Sequence, residues 1–484
     1  MKKVVIIGGG AAGLAAAFAL KRAAKAGEAV DWVLLEKSSR LGGKILTTRE
    51  DGFVVDGGPD CFLAEKPWVG QMAARLGIEN QLLPSDEEKK GTYIFSRGKL
   101  HELPDGVMMM VPTKFTPFVT TSLFSWPAKI RMGLELFIPK RRDTGDETLA
   151  QFVTRRLGRE CLEKLAEPMV GGVHASDPYQ MSLQATFPRF LEMEQKSGSL
   201  IRGFIAARKN APPPPPPKPG AAPRTYFMTF RGGMQQLTDA MADAAGRDKL
   251  LTGKEVVHVE ERSEGSRYLV HLRSGEIYEA DAVVVAAEAY LAAEFLRGID
   301  RLLADTLSAI TSASAATISL AFREDTVGHE LRGFGFLVPG VENRKISAST
   351  WSSTKWPGHA PGGHVLLRAF VGGAYNQEIV ELDEVELVRV VRDELRKIMG
   401  IAAEPEHQWI FRWPRGMPQY KLGHLNRLAT IDAELAKHPG LYLCGASYRG
   451  VGTGDVMHSA ELAVEKALQW LQSTAPQPRD SSIR

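Results

Sequence analysis

The feature that most restricts the fold lies at the start of the chain, where an apolar run passes into closely spaced glycines. Residues 4–7, Val-Val-Ile-Ile, have the β-branched composition of a buried strand, and residues 8–13 follow as Gly-Gly-Gly-Ala-Ala-Gly. An alanine-rich helical pattern occupies residues 14–20, and a second apolar run, 32–35, ends at Glu36. Glycines with this spacing let a backbone turn approach a pyrophosphate at a helix N-terminus, and an acidic residue after the second strand is placed to bind a ribose. The segment predicts a dinucleotide-binding βαβ unit, against the alternative of a βαβ unit that binds no nucleotide.

Length and composition describe a globular protein of two or three domains. The 484 residues are 44% hydrophobic and 24% charged, and the formal net charge is only +3. So small a charge excess gives no reason to expect a nucleic acid partner. The three cysteines, Cys61, Cys161 and Cys444, are too few and too far apart for a disulfide framework or a metal cluster. We therefore expect no metal. Because the first strand begins directly after Lys2 and Lys3, we expect a cytoplasmic protein with no cleaved export signal.

No apolar run is long enough to span a bilayer, which takes about 18 residues. Residues 108–138 come nearest, but prolines and basic side chains interrupt them. Three interpretations stay open for this stretch: a wall of the substrate cavity, a patch that touches the inner face of the membrane, and an ordinary buried helical subdomain.

Changes of pattern along the chain predict a nucleotide-binding domain that is interrupted twice. Buried strands at residues 280–287 and 440–446 indicate where this domain resumes. A proline run at residues 212–217 is interpreted as a surface loop, with a docking site for a proline-binding partner as the alternative. The predicted segments are 1–90, 225–298 and 409–472 for the nucleotide-binding domain, 91–207 for a helical insertion, 208–224 for the proline-rich loop, 299–408 for a substrate-binding domain, and 473–484 for a flexible tail.

Six groups of short motifs follow one another along the chain. They are Arg40-x-Gly42-Gly43-Lys44, Gly58-Pro59-Asp60-x-Phe62-Leu63, Thr186-Phe187-Pro188, Gly232-Gly233-Met234, Trp413 with Met417-Pro418-Gln419-Tyr420 and Gly423-His424, and Gly445-Ala446-Ser447-Tyr448-x-Gly450-Val451-Gly452. In this order they resemble the flavin-dependent porphyrinogen oxidases of the amine oxidase and phytoene desaturase superfamily, above all the type from Gram-positive bacteria. The resemblance runs almost end to end. It implies an α/β fold (α+β overall), in which a discontinuous Rossmann-like FAD-binding domain accompanies a mixed-sheet substrate domain and a helical insertion.

The resemblance also implies which residues bind FAD. The pyrophosphate and ribose fall to Gly8, Gly9, Gly10, Ala11, Ala12, Gly13, Glu36 and Lys37; the phosphates also to Arg40, Gly42, Gly43 and Lys44; the adenine to Val256; and the isoalloxazine to Asp56, Gly57, Gly58, Pro59, Trp413, Gly450, Val451 and Gly452. A planar redox ring indeed needs glycines for close backbone contact. For Arg40 and Lys44 a solvated surface pair remains the alternative. Cys444 lacks the Ser-Gly-Gly-Cys-Tyr-like setting of a covalent flavin attachment, so we expect FAD to bind non-covalently.

The reaction implied by the resemblance is the six-electron oxidation of coproporphyrinogen III to coproporphyrin III in heme biosynthesis, with oxygen as acceptor and peroxide as product. Because the flavin carries the chemistry, no catalytic side chain is expected, and the scattered histidines are interpreted as structural. These histidines are His174, His258, His329 and His424. Lys66 is the main candidate for binding a substrate propionate, with Arg97, Lys99 and Lys114 as weaker ones. Thr92 stands where eukaryotic relatives carry a propionate-binding arginine, which favours coproporphyrinogen III.

Other functions remain open at this stage. They are oxidation of protoporphyrinogen IX, an amine oxidase or carotenoid desaturase activity, and a nucleotide-free escort protein on the same fold. Escort proteins have lost parts of the glycine cradle, whereas this chain keeps Gly8, Gly10, Gly13 and Glu36. A peripheral membrane contact and a second heme-pathway enzyme are the partners considered beside the tetrapyrrole and oxygen. The sequence does not predict an oligomeric state.

Overall fold

The structure, a computed structural model, describes residues 1–104, 107–108, 111–112, 114–143, 145–209, 225–264 and 267–474. The strands are β1 Lys2–Ile7, β2 Val30–Leu35, β3 Thr47–Glu50, β4 Phe53–Asp56, β5 Phe62–Leu63, β6 Leu82–Pro84, β7 Thr92–Ser96, β8 Lys99–Glu102, β9 Val107–Met108, β10 Val111–Pro112, β11 Phe227–Phe230, β12 Leu250–Leu251, β13 Val256–Glu261, β14 Tyr268–Leu272, β15 Ile277–Ala280, β16 Ala282–Val285, β17 Ser312–Arg323, β18 Gly335–Leu337, β19 Ala348–Trp351, β20 His364–Gly372, β21 His407–Pro418 and β22 Leu441–Leu443. The helices are α1 Ala11–Lys25, α2 Trp68–Leu76, α3 Phe115–Thr120, α4 Trp126–Gly133, α5 Leu149–Arg156, α6 Arg159–Cys161, α7 Glu167–His174, α8 Leu183–Thr186, α9 Pro188–Ser197, α10 Leu200–Lys209, α11 Gln235–Ala245, α12 Ala289–Leu296, α13 Arg301–Ser308, α14 Glu324–Val327, α15 Ser352–Lys355, α16 Glu384–Met399, α17 His424–Leu435 and α18 Thr453–Ser473.

A five-stranded parallel sheet of order β12-β2-β1-β16-β22 forms the predicted nucleotide-binding layer. Alternate residues of β1 enter different cores, because side chains of a strand point to opposite faces. Val4 and Ile6 pack with α1, α11 and α18 on one face, whereas Val5 and Ile7 pack with α12 and α13 on the other. The sheet is therefore covered on both sides, as the βαβ prediction requires, and the predicted α/β fold is confirmed.

A mixed seven-stranded sheet of order β21-β17-β20-β19-β18-β7-β8 forms the second layer. Helix α16 covers it through Leu387, Val391 and Leu395. The sheet crosses two predicted boundaries: β7 and β8 lie in the segment assigned to the helical insertion, and β21 extends ten residues into the segment assigned to the nucleotide-binding domain. The domain bounds predicted from the sequence therefore do not coincide with the bounds of this sheet, and for β7 the cause is its parallel pairing with β18, far along the chain, which leaves no local signal.

The predicted helical insertion contains α3 to α10 around a core of its own. Helix α5 begins with a capping box, in which the Thr148 side chain accepts from the N–H of Gln151 and the Gln151 side chain accepts from the N–H of Thr148. Helix α4 continues into a 3-10 turn, Leu134–Phe137. None of the helices in the described parts of the chain is long and apolar enough to cross a membrane. The proline run at 212–217 and the last ten residues of the predicted tail lie outside the described residues.

A fully buried network of charges fixes the 3-10 turn to its neighbours. The Glu135 carboxylate accepts from the Arg156 guanidinium, from Ser199 Oγ at 2.5 Å and from the N–H of Leu200 at 2.8 Å. Arg156 also lies 3.4 Å from a carboxylate oxygen of Glu194, and the side chains of both are completely buried. The network therefore joins α5, the 3-10 turn and the connection between α9 and α10.

Removing Glu135 should destabilise the protein strongly. In Glu135→Ala the buried Arg156 guanidinium loses a partner, and breaking a buried pair in this way typically costs about 3–5 kcal/mol. The free energy of unfolding in urea, followed by circular dichroism, measures the loss. Glu192→Ala is the control, because Glu192 forms an exposed pair with Lys196 that contributes about 0–1 kcal/mol. Equal losses for the two variants would contradict the role given to the network.

Candidate functional site

The first glycine turn leaves no room for side chains. Gly8 has φ of +107°, and a Cβ on Gly8 would lie 2.8 Å from the carbonyl oxygen of Ala286. A Cβ on Gly13 would lie 1.8 Å from the carbonyl oxygen of Gly8. Helix α1 starts after Gly10, and no side chain caps its first N–H groups. The turn therefore presents uncapped N–H groups at a helix N-terminus, which fits a pyrophosphate.

A second glycine loop closes on the first. The N–H of Gly42 donates to Gly9 O at 2.8 Å, and a Cβ on Gly43 would lie 2.9 Å from Gly10 Cα. Arg40 holds this loop by donating to Gly43 O at 2.5 Å, and burial lowers the pKa of its guanidinium. Lys44 forms an ion pair of 2.7 Å with Glu288, so the solvated surface pair considered for Arg40 and Lys44 is not what the structure contains.

Glu36 lies at the end of β2 beside the first turn. One carboxylate oxygen accepts from the N–H of Gly9 at 2.6 Å, and the other accepts from Ser38 N and Oγ at 2.8 and 2.6 Å. The next segment is close, because the N–H of Lys254 donates to Glu36 O at 2.8 Å, and Val256 begins β13 two residues later. Lys37 is exposed on the same loop. These residues therefore lie close together at one edge of the sheet.

The turn that follows β4 lies between the two sheets. The carbonyl oxygen of Gly57 accepts from Thr317 Oγ1 at 2.8 Å and from Trp413 Nε1 at 2.9 Å. A Cβ on Gly57 would lie 2.4 Å from the ring of Phe411, and a Cβ on Gly58 would lie 1.8 Å from Lys44 O. Both glycines are therefore required by close packing, and Pro59 follows them half-buried.

The side chain of Asp56 is part of the core rather than of an open site. Its Oδ1 accepts from Thr47 Oγ1 at 2.6 Å and from the N–H of Met234 at 2.9 Å. Burial raises the pKa of Asp56 to about 6. Only the backbone of this predicted flavin contact is therefore free to face a ligand.

The third glycine turn, residues 450–452, precedes α18. Gly450 has φ of +148°, and its N–H donates to Tyr420 Oη at 2.8 Å. Tyr420 in turn donates to Ala446 O at 2.6 Å and stacks on His424, with ring centroids 4.0 Å apart. His424 is buried and bonds to Tyr448 O at 2.8 Å, which is a structural role like the one predicted for it. Two of the sequence motifs thus support the same turn.

Lys66 reaches this third turn but has a partner there. Its ammonium lies 2.5 Å from Asp455 Oδ2, in the first turn of α18, and about half of the lysine side chain is exposed. Burial, assisted by the charge of the nearby Lys66, lowers the pKa of His174 to about 4.

The other two candidates for binding a propionate lie elsewhere. Arg97 occupies the β7–β8 hairpin turn, 3.8 Å from Glu160. Lys99 is exposed on the same hairpin.

The sequence analysis assigned no role to a buried group of charges beside Gly57 and Gly58. Asp60 lies 3.1 Å from Lys355 and 3.7 Å from Arg368, and both cations are buried. Burial acts to raise the pKa of Asp60, but the positive charges of Lys355 and Arg368 hold that pKa well below its usual range. Asp60 belongs to a motif, but Lys355 and Arg368 lie in segments without one. Only the position of Arg368 in apolar sequence, Leu366-Leu367-Arg368-Ala369-Phe370, could have drawn attention to it, and Lys355, which follows Ser352-Ser353-Thr354, has no such signal.

Comparison with known proteins identifies the type of site. Residues 11–468 match the family described as flavin containing amine oxidoreductase. The coproporphyrinogen III oxidase of Bacillus subtilis (strain 168) is 37% identical over 98% of this chain and 99% of that protein. The coproporphyrinogen III oxidase of Propionibacterium freudenreichii subsp. freudenreichii is 35% identical over 96% of this chain and 91% of its own length.

A solved structure agrees with these matches. A crystal structure from Exiguobacterium sp. 255-15, of a protein provisionally assigned as a protoporphyrinogen oxidase, superposes with a TM-score of 0.85 at 31% identity, covering 97% of this chain and 99% of that one. The predicted FAD-dependent oxidoreductase is thereby confirmed, and the glycine turns described above fit its cofactor, FAD. The chain belongs to the flavin-containing amine oxidoreductase family.

Proposed function

We propose that this chain oxidises coproporphyrinogen III to coproporphyrin III, with non-covalently bound FAD and with oxygen as the electron acceptor. The observation that carries the proposal is the agreement with the Bacillus subtilis relative over nearly the whole of both chains. Removal of six electrons and six protons from the substrate is balanced by reduction of three oxygen molecules to three of hydrogen peroxide. FAD supplies the two-electron redox chemistry when it is bound. Oxidation of protoporphyrinogen IX is the second candidate, favoured by the structural match at a TM-score of 0.85.

In this proposal the glycine turns hold the two ends of FAD. The first turn, residues 8–13, faces the pyrophosphate through uncapped N–H groups, and Glu36 accepts from the ribose. The turn at 56–59, with Trp413 and residues 450–452, holds the flavin ring through backbone, because no side chain fits at its glycines. The chain itself then has to orient the tetrapyrrole and keep competing reactions away from the ring.

Loss of the Glu36 carboxylate should weaken FAD binding. Glu36→Ala removes an acceptor for the ribose, and a hydrogen bond to a charged group contributes about 1.5–3 kcal/mol, so the dissociation constant should rise by roughly ten- to a hundredfold. Titration of the apoprotein with FAD, followed by flavin fluorescence, measures the change. Asp31→Ala is the control, because Asp31 lies on the same strand and pairs with Lys249 instead. Wild-type affinity in Glu36→Ala would contradict the placement of the ribose at Glu36. Separately, acid precipitation of the holoprotein should release the flavin, and flavin that stays with the precipitated protein would contradict non-covalent binding.

The choice between the two porphyrinogens depends on propionates. Coproporphyrinogen III carries four of these anionic groups and protoporphyrinogen IX two. Thr92 offers no charge, whereas Lys66 keeps about half of its side chain exposed beside residues 450–452. Asp455 occupies one side of the Lys66 ammonium, which has three donors and so can bind a propionate as well. This arrangement supports coproporphyrinogen III as the preferred substrate.

Lys66→Ala should therefore lose more activity on coproporphyrinogen III than on protoporphyrinogen IX. The variant removes a charge-assisted contact and leaves Asp455 to repel the anionic substrate, so kcat/KM should fall roughly ten- to a hundredfold. Oxygen consumption with each substrate in turn measures it. Lys397→Ala serves as the control, since Lys397 is exposed on α16 and should leave both values unchanged. A preference of the wild type for protoporphyrinogen IX, or equal losses on both substrates, would overturn the assignment.

We also propose that α4 and the following 3-10 turn contact a membrane surface. Trp126, Ile130, Leu134 and Phe137 are 63%, 61%, 48% and 77% exposed. Their spacing of three or four residues puts them on one side of the element. Residues 126–142 carry five basic side chains, of which Lys140 and Arg142 are exposed and Lys129 is buried, and their one acid, Glu135, is buried. An apolar stripe flanked by positive charge is the pattern of a helix that lies on an anionic bilayer.

The second partner considered above, another enzyme of the heme pathway, stays a prediction.

The stripe can be tested with vesicles. The double variant I130E/F137E should lose sedimentation with vesicles of phosphatidylglycerol and phosphatidylcholine, because it places charges at two exposed positions of the apolar stripe. Val385→Glu is the control, since Val385 is 81% exposed on α16. High salt should weaken wild-type binding. Wild-type protein that stays in the supernatant, or a double variant that still sediments, would refute the contact.

A further inference from the structure

Two buried cations converge on a single carboxylate next to the Gly57 turn. Lys355 Nζ lies 3.1 Å from Asp60 Oδ2, and the Arg368 guanidinium lies 3.7 Å from Asp60 Oδ1. Trp356 Nε1 donates to the same carboxylate at 3.2 Å. Burying charge is costly unless every group is paired, so a buried arrangement of this kind needs a reason beyond stability. We refer to Asp60, Lys355 and Arg368 as the Asp60 cluster.

Arg368 links this cluster to the backbone of the turn. Its guanidinium donates to Gly58 O and lies 3.4 Å from Gly57 O. Gly57 O also accepts from Thr317 and Trp413. These three donors stand on β20, β17 and β21, which are neighbours in the seven-stranded sheet. The turn is therefore fastened to the second sheet at two successive carbonyls, and Arg368 donates to both.

The groups around the cluster add little negative charge to it. Burial raises the pKa of the Cys61 thiol to about 12, so the sulfur 3.4 Å from Lys355 is neutral. Burial likewise lowers the pKa of His359 to about 4, which leaves that ring neutral. Asp56 is the remaining titratable neighbour, and it is half-ionised near pH 6. Removing Lys355 therefore makes the net charge of the Asp60 cluster more negative by one near neutral pH.

A small polar cavity beside Arg368, which Asp60 and Trp356 also line, has room for about one water molecule. Three buried atoms that line it have no hydrogen-bond partner within the described residues, namely Arg368 Nε, Asp56 Oδ2 and Ser319 Oγ. Polar side chains of Asp56 and Arg368 therefore meet at one cavity beside the turn.

We infer that Arg368 and Lys355 are positioning residues for FAD, an inference that rests on the proposed position of the flavin ring. Arg368 fixes the two carbonyls of the turn, so that the backbone facing the ring keeps one conformation. Lys355 supplies fixed positive charge near the ring, which favours the electron-rich reduced flavin over the oxidised one. Geometry and charge are thus provided by different side chains of the Asp60 cluster and can be separated by mutation.

Two substitutions make this separation. Arg368→Lys keeps the charge but loses the planar guanidinium, whose Nη2 donates to both carbonyls while Nη1 faces Asp60, and should raise the dissociation constant for oxidised FAD by about tenfold. Lys355→Met removes the charge but leaves the carbonyl contacts, and should lower the midpoint potential of the bound flavin. A tenfold weaker preference for the reduced form corresponds to about 30 mV for a two-electron couple. Flavin titration of the apoprotein and dye-coupled reduction of the holoprotein measure these quantities without substrate.

Two further variants control for damage to the fold. Thr317→Val is uncharged and nearly isosteric, and should weaken FAD binding by removing one donor to Gly57 O without lowering the potential. Arg412→Lys is the matched control, because Arg412 on β21 donates to Val380 O and Leu382 O, away from the turn, and should behave as wild type. If wild-type apoprotein takes up no FAD, the proposed function fails. If wild type and Arg412→Lys bind FAD, and Arg368→Lys matches them in affinity or Lys355→Met matches them in potential, the positioning role is refuted.

Discussion

The hydrogen bonds to the carbonyl oxygen of Gly57 join the two halves of the molecule. On one side the N–H of Gly57 donates to Leu46 O, and Asp56 is fixed to Met234 at the start of α11. On the other side the carbonyl accepts from Thr317 and Trp413 of the seven-stranded sheet. A side chain at position 57 would collide with Phe411, so the approach of the sheets depends on a glycine there. The position of the second sheet relative to the nucleotide-binding layer follows from this contact.

Local sequence could predict two kinds of feature: contacts between residues that are close along the chain, and positions that admit only one type of residue. The first βαβ unit was predictable because Gly8 and Gly13 admit no other residue where strand and helix touch. Strand β7 was assigned to a helical segment because its parallel partner, β18, lies some 240 residues away along the chain. Arg368 was missed for a related reason: on β20 it appears as one charge among apolar residues, and its carboxylate partner, Asp60, lies 308 residues earlier.

Lys66 shows the same limit at the candidate substrate site. Sequence placed a cation there and could not supply its partner, Asp455, which is 389 residues away. The pairing changes what the lysine can do, because its charge is partly compensated before any propionate arrives. The pair with Asp455 lowers the free-energy cost of holding a cation at the site. Because about half of the Lys66 side chain remains exposed, its ammonium still has donors for an anion. Neither Arg97 nor Lys99 combines exposure and location in this way.

The two glycine-capped helices of the site differ in charge, and this difference orients the proposed cofactor. Both α1 and α18 begin after a glycine and lack a capping side chain, so each offers unpaired N–H groups and the positive end of a helix dipole. The first turn of α1 contains no acidic residue, whereas the first turn of α18 contains Asp455. Asp455 and its partner Lys66 already occupy the start of α18, so a pyrophosphate is favoured at α1, and a neutral ring can approach the backbone of residues 450–452. The charge pattern thus supports the phosphates at one end of the site and the flavin ring at the other.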